Sequence, residues 1–398
     1  MQTVLFAWEL GRGFGHVMNM RRTAVAVAKG DIRVVAAVRD PSAAAHFRTG
    51  VSEIVSAPPW PFQSQTPGER TAASSATLND ALSGAGLADR SAVQRLLIAW
   101  DAILERTQPD LVVADFSPLA ALAARGRIPL VLIGNGYTLP PHSMPRFPLL
   151  HHLAPPVWSE EQTLSAVNHA AQSLGRPTLD RLPQLFSADA CLVQAFPILD
   201  PYNTQRTEAL DGPSFDAPPV AASAGAESIF AYLSSADPHP SVFEALKPHA
   251  ARLRTYAPAL SDRQRAELGR LGARIDEAPP LLTDVLRQSR LVVHNGGSGV
   301  ASEALAAGVP QLILSTHVEQ NLTGEALERS RVAKLVRMYD PNATLTPELV
   351  EAAAADPALG TCAAALGQWC RHYVRSHNAQ QNLERVCLKW LGRSIGFR

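Results

Sequence analysis

The residues whose types best suit them to chemistry stand in two glycine-rich turns, each between an apolar run and a helical segment. The first is Gly11-Arg12-Gly13-Phe14-Gly15-His16. A dinucleotide fingerprint needs GxGxxG, and His16 occupies the place of its last glycine, so that reading fails. Glycines alone also let a chain swing tightly from strand to helix, and this structural reading of Gly13 and Gly15 stays open. His16 says more: a side chain opening a helix beyond the carboxyl end of a strand points into the crevice where open α/β sheets bind ligands. The second turn is Asn295-Gly296-Gly297-Ser298-Gly299, with Glu303 four residues on. Consecutive glycines bring backbone N–H groups against an anion, and a helix N-terminus adds partial positive charge, which suits a phosphate or diphosphate. Glu303, one turn into the helix, is expected to reach the ribose hydroxyls of a nucleotide diphosphate; a solvated helix glutamate is the other reading.

Strand-length apolar runs alternating with Ala-rich helical segments position these turns, and that alternation predicts an α/β fold of parallel βαβ units. Thr3 to Trp8 reads as a strand, Val17 to Lys29 as a helix closed by Gly30, and Arg33 to Val38 as the next strand. Leu111 to Ala114, Pro118 to Arg125 and Leu130 to Ile133 repeat the order, as do Leu291 to His294, Val300 to Ala307 and Gln311 to Leu314, with Gly308 and Pro310 ending the late helix. GPSFDAPPVAASAGAE, residues 212 to 227, reads as a linker. Pro58 to Asp89 and Tyr137 to Glu161 read as long irregular loops, and their Trp60, Phe62, Tyr137, Phe147 and Trp158 suggest an apolar small molecule or simply packing. Trp369 to Trp390 reads as one helix of mixed apolar and basic residues.

Composition narrows the classes. Lys plus Arg and Asp plus Glu each total 36, so no global field gathers nucleic acid. A hydrophobic fraction of 46% supports a sizeable core in a chain of 398 residues, a length that predicts two or three domains. Four cysteines without a CxxC pair, and histidines without convergent spacing, fit neither a disulfide framework nor a metal site; His151-His152 reads as a surface or acceptor-loop feature. Met1 leads straight into the first apolar run, without the basic region of a signal peptide, and charged residues and proline interrupt the best membrane-length stretch. The expectation is a cytoplasmic protein with no stable membrane insertion.

NGGSGVASEALAAGVPQLILSTHVEQ, residues 295 to 320, resembles the donor-binding stretch of the UDP-sugar-dependent glycosyltransferase superfamily, whose members have the GT-B fold. That pattern, HGGxG(S/T)xxEALxxGxPxxxxPxxxDQ, is followed without a gap. Gly13 to His16 resembles the family's opening turn, PDLVVADFSPLAALAARGRIPLV at 109 to 131 its central N-domain segment, and Gly212-Pro213 the GP before its linker.

The resemblance implies two doubly wound Rossmann-like domains facing across a cleft: an acceptor domain over 1–213, a linker over 214–227, a donor domain over 228–380, and a C-terminal helix over 381–398 packing back on the first. It implies an inverting transfer, from a UDP-sugar or dTDP-sugar, to a hydroxyl of a small apolar acceptor, with no metal and no cofactor beyond that co-substrate. His16 would be the general base and Asp115 would orient it. A neutral imidazole can take an alcohol's proton during attack, and Asp115 ends its strand on the same carboxyl edge as the His16 turn. A helix N-terminal role for Asp115 stays open beside this one. Gly13, Gly15 and Ser235 would line the donor site, while Glu319 and Gln320 would bind hydroxyls of the donor sugar.

The departures carry their own expectations. Asn295 stands where the family has a diphosphate-contacting His, and its amide is expected to donate there. His294, one residue earlier on the strand, points to the opposite face. Val300 replaces a Ser or Thr, whose hydroxyl Ser298 could supply, and Ser315 replaces a Pro. No Trp lies near Arg274 to Pro280 to stack on the base, which leaves the backbone at 278 to 282 for base contacts. Two other classes stay in play: a non-catalytic relative that binds a nucleotide sugar or a partner protein, and a UDP-sugar epimerase.

Overall fold

The structure is a computed structural model, and it describes residues 1–11, 14–28, 31–40, 50–61, 75–233 and 239–392. Gly13, Gly30, Phe62 and Ser235 lie outside these residues. The chain divides into two compact units. Unit 1 comprises 1–194, 200–212 and 378–398; unit 2 comprises 195–199 and 213–377.

Unit 1 contains one parallel sheet of β1 (Gln2–Trp8), β2 (Ile32–Val38), β3 (Glu53–Ser56), β4 (Leu111–Asp115), β5 (Leu130–Gly134) and β6 (Ala190–Val193), in the order β3-β2-β1-β4-β5-β6. Helices cover such strands on both faces, so they read as continuous apolar runs rather than alternating ones; LVVAD and LVLIG are buried at every position. Register places Trp8 opposite Asp115, and this fixes which loops meet at the carboxyl edge.

Unit 2 repeats the plan with β7 (Ser228–Tyr232), β8 (Leu253–Tyr256), β9 (Arg274–Ile275), β10 (Ser289–His294), β11 (Gln311–Ser315) and β12 (Ala333–Arg337), in the order β12-β11-β10-β7-β8-β9. Numbered within its own unit, each sheet runs 3-2-1-4-5-6, the doubly wound order expected from the sequence. The order reverses between β1 and β4 in unit 1 and between β7 and β10 in unit 2. Such reversal points are where open α/β sheets bind ligands.

Most helices start and stop where the sequence signals them. Asp89 caps Arg90–Thr107 by accepting from Ser91 N at 2.9 Å and Ala92 N at 3.1 Å. Gly308 closes Ser298–Ala307 at φ +74°, a conformation open to glycine at little strain. Of three further expectations, two give way and one holds. Residues 78–87, within the first supposed loop, wind into helical turns because Thr77 and Asp80 form a reciprocal capping box. The second supposed loop is irregular but firmly tied: the buried Asp80 carboxylate accepts from Val157 N at 2.8 Å and Trp158 N at 2.9 Å. Trp369 to Trp390 is two helices, Pro357–Ser376 and Ala379–Trp390, because Asn378 leaves the helical conformation and caps the second through Gln381 N at 3.0 Å. The second helix belongs to unit 1, where Leu383, Cys387 and Leu391 share a core with Val17, Met20 and Ala24 of helix Phe14–Val27.

The linker lacks regular structure, and its later part is bonded into unit 2 by Ala222 N to Ala307 O at 2.9 Å and Ser223 N to Arg287 O at 2.8 Å. Among the described residues no single helix is long and apolar enough to cross a membrane.

Candidate functional site

At the reversal point of unit 1, β1 and β4 each end in a loop that opens a helix. The helix from β1 carries His16 in its first turn, and β4 ends in Asp115, which is 2% exposed. His16 Nδ1 stands 3.0 Å from Asp115 Oδ1. A carboxylate can only accept, so Nδ1 carries the proton and the lone pair lies on Nε2, the tautomer a general base requires. The other carboxylate oxygen accepts from Asn19 Nδ2 at 3.2 Å. Asn19 lies three residues beyond His16 on the same helix face, a spacing visible in the sequence and overlooked there.

Aromatic rings frame the imidazole. Trp8 stacks near-parallel to it at 5.7 Å between centroids and Phe116 at 6.2 Å, while Phe116 meets Tyr137 edge-on. Phe116 holds φ +42°, a conformation that strains a bulky side chain by roughly 1–3 kcal/mol, and Leu10 N donating to Phe116 O at 3.1 Å maintains it. Gly11, at φ +84°, has the ring against its Cα: a Cβ there would lie 2.1 Å from His16 Nε2. Gly15, by contrast, has open space where a Cβ would stand, so packing does not require glycine at that position.

At the reversal point of unit 2, β10 runs into the turn at 295–299, and helix Ser298–Ala307 begins behind an N-cap glycine, Gly297, that has no side chain to cap it. Its first-turn amides therefore present the partial positive charge that an anion needs. Gly296 is held at φ +87° with no room for a Cβ, which would lie 2.9 Å from both Gln320 O and Ile313 Cγ2. The 295–299 turn thus packs directly against the segment carrying Glu319 and Gln320, which open helix Val318–Arg329 half-buried. Gln320 Oε1 accepts from Thr316 N at 2.8 Å and Thr316 Oγ1 at 2.9 Å, so its carbonyl end staples its own turn.

Asn295 differs from expectation in its partner, and His294 takes a role the sequence does not signal. His294 faces inward, as the strand alternation requires, but it shapes the turn: Gly296 N donates to its Nδ1 at 3.1 Å, and its Nε2 donates to Gln311 Oε1 at 2.9 Å. Burial pushes this imidazole down to about 4. The Asn295 amide, expected to donate to a diphosphate, donates instead to Leu314 O at 3.2 Å, and its Oδ1 is buried without a partner. Backbone packing explains this, because β10 and β11 pair side by side and bring the Leu314 carbonyl within reach. Ser315, in place of the family's Pro, is buried too, with its hydroxyl unpartnered. Glu303 is buried rather than solvated, and lies near enough to Tyr232 that its charge, added to burial and Tyr256, raises the Tyr232 phenol. Gly13 and Ser235, expected at the donor site, lie outside the described residues. Among those residues no group of three or more His, Cys, Asp or Glu side chains could hold a metal ion.

Comparisons with known proteins bear on the fold and the relatives of the chain. No protein-family model matches the chain. By sequence it is 28% identical over 285 residues to the elloramycin glycosyltransferase of Streptomyces olivaceus, an alignment covering 66% of each protein. By structure it is similar to the glycosyltransferase of kitacinnamycin (TM-score 0.65, 20% identity, 98% of both chains) and to the calicheamicin glycosyltransferase (0.63, 17%, 99% of both). Similar folds have been solved with the spinosyn aglycone (0.63), with dTDP (0.57) and with UDP (0.60), at 13–17% identity. The chain has the GT-B fold and resembles, in sequence and in structure, the glycosyltransferases of small natural products.

Proposed function

We propose that the protein is an inverting glycosyltransferase that moves a sugar from a UDP-sugar or dTDP-sugar to a hydroxyl of a small, apolar acceptor. The observation that carries this reading is the His16–Asp115 pair at 3.0 Å, standing where the unit 1 strand order reverses. A protein that only bound nucleotide sugar would have no use for an oriented base.

In this reading unit 1 serves the acceptor and unit 2 the donor. His16 Nε2 takes the acceptor's hydroxyl proton as its oxygen attacks the anomeric carbon, and the bond from that carbon to the diphosphate oxygen breaks on the opposite face. One displacement inverts the configuration. The charge gathering on the leaving diphosphate meets the amides at 297–300 and the helix N-terminus, in a turn that the Gly296 N to His294 Nδ1 bond fixes before reaction begins. Asp115 stabilises the imidazolium that forms, and Glu303, Glu319 and Gln320 hold hydroxyls of the donor. Cytoplasmic location is part of the same proposal and is consistent with four unpaired thiols.

Release of UDP or dTDP from the corresponding glucose donors, with a panel of phenolic and macrolide alcohols or with water as acceptor, tests the reading. His16→Ala should lower turnover roughly 10²–10⁴-fold with UDP binding unchanged. Equal turnover by this variant and wild type would remove His16 from the chemistry. A new sugar nucleotide formed without any acceptor would favour an epimerase.

A further inference from the structure

The residue after β1 is Glu9, a carboxylate only 1% exposed in an otherwise apolar setting. Burying a charge there is costly unless its lone pairs are all used, and an apolar side chain would fill the space without that cost. The partners of Glu9 show what the carboxylate does. One oxygen accepts from Trp100 Nε1, in the middle of helix Arg90–Thr107. The other accepts from Leu119 N at 2.9 Å and Ala120 N at 3.4 Å, the first-turn amides of helix Pro118–Ala124. Trp60, whose indole N–H has no hydrogen-bond partner, lies close enough to favour the charged form further.

The residue placed to cap that helix is Ser117, yet its hydroxyl makes no capping bond and is buried without a partner. Glu9 takes over the task from a different strand. Only Phe116 and Ser117 separate Asp115 from the helix, and Leu10, next to Glu9, donates to the Phe116 carbonyl. Two consecutive residues of the β1 loop therefore hold the β4 loop at its strained residue, Phe116, and at the helix turn that follows it. This leaves the Asp115 side chain little freedom to turn away from His16 and Asn19.

We propose that Glu9 is a positioning residue for the His16–Asp115 pair, anchoring the loop that carries Asp115 to the core through Trp100. The proposal rests on the catalytic reading above for its consequence, but its geometry can be tested without turnover. The probe is the proton on His16 Nδ1, observed by NMR in histidine-labelled protein and assigned by its loss in His16→Ala. Glu9→Gln keeps the size of the side chain but turns an amide N–H₂ toward N–H donors. It should shift or broaden the Nδ1 proton and lower the rate of donor hydrolysis about 10–100-fold, leaving KM for the UDP-glucose probe unchanged. A purely structural role would lower Tm and leave the His16 resonance where it is in wild type, and that result overturns the proposal. Should Glu9→Gln fail to fold, Trp100→Phe frees only the far oxygen and is read in the same way: an unmoved His16 resonance overturns the proposal there too. A responding resonance in a protein that neither hydrolyses nor transfers would sink the glycosyltransferase reading and leave Glu9's role intact.

Discussion

Replacing His294 by Leu should weaken the protein by an amount that depends on pH in a predictable direction. In the native protein the imidazole accepts from Gly296 N and donates to Gln311 Oε1. Leucine leaves a buried amide and a buried carbonyl oxygen without these partners, at roughly 1–3 kcal/mol each, so the loss near pH 7.5 should be about 2–6 kcal/mol. The wild-type imidazole carries an opposing liability. Its pKa falls from 6.5 to about 4 on folding, so between those values the unfolded chain binds the extra proton and stability declines as pH falls. The slope is about 1.4 kcal/mol per pH unit, close to 3 kcal/mol over the window. Leucine cannot titrate, so the gap between the two proteins should narrow by about that much from pH 6.5 to pH 4. Urea denaturation of both proteins at half-unit intervals measures the gap directly. UDP binding by calorimetry at pH 7.5 should also weaken in the variant, because the Gly296 amide loses its anchor. A gap that stays constant with pH would show that His294 is not the buried neutral group its setting requires, and unchanged UDP affinity would separate it from the turn.

Glu9 gives the opposite pH dependence. Burial raises its carboxyl from 4.5 to about 7, so the folded state holds a proton the unfolded chain has released, and stability falls as pH rises through that window, by about 3 kcal/mol in all. Glu9→Gln should remove this slope in denaturation curves; an identical slope in the variant would assign it elsewhere. Gly11→Ala places a methyl where the His16 ring lies and forces a left-handed backbone on alanine, so turnover should drop at least tenfold while UDP binding is unaffected. Full activity in that variant would mean the imidazole does not work from this position. Asn19→Ala withdraws one hydrogen bond from a charged acceptor, of roughly 1.5–3 kcal/mol, and should lower kcat about tenfold with KM for donor preserved; a rise in KM alone would assign Asn19 to binding.

The sequence reveals what is local and hides what is assembled across long separations. Strand runs such as Leu111–Asp115 and Leu130–Gly134 are legible because parallel strands buried on both faces leave no alternation to misread. The partnership of His16 with Asp115 is legible too, since both residues end up at one carboxyl edge once the βαβ grammar is granted. Glu9 and its partners are not: Trp100 is 91 residues away and Leu119 is 110, and neither spacing has a period. The break at His377–Asn378 was missed because a capping Asn inside an apolar and basic run resembles an ordinary surface position. His294 was half legible. Strand alternation turned it inward, but only the folded turn shows that its Nδ1 reaches the amide two residues on.

The two reversal points solve one mechanical problem in the same way. A loop at the open edge of a sheet has too few apolar contacts to be rigid, and catalysis tolerates little slack, since misplacement by an ångström can erase about two orders of magnitude. In each unit a glycine at strongly positive φ, Gly11 at +84° or Gly296 at +87°, makes a close approach that no side chain would permit. Behind each stands a buried ionisable residue bonded to backbone amides: Glu9 to Leu119 and Ala120, His294 to Gly296. Each accepts a penalty for burial, seen in a raised carboxyl and a lowered imidazole, that an apolar residue would avoid. What the polar groups supply and an apolar core cannot is direction, because a hydrogen bond fixes an amide's orientation as well as its distance.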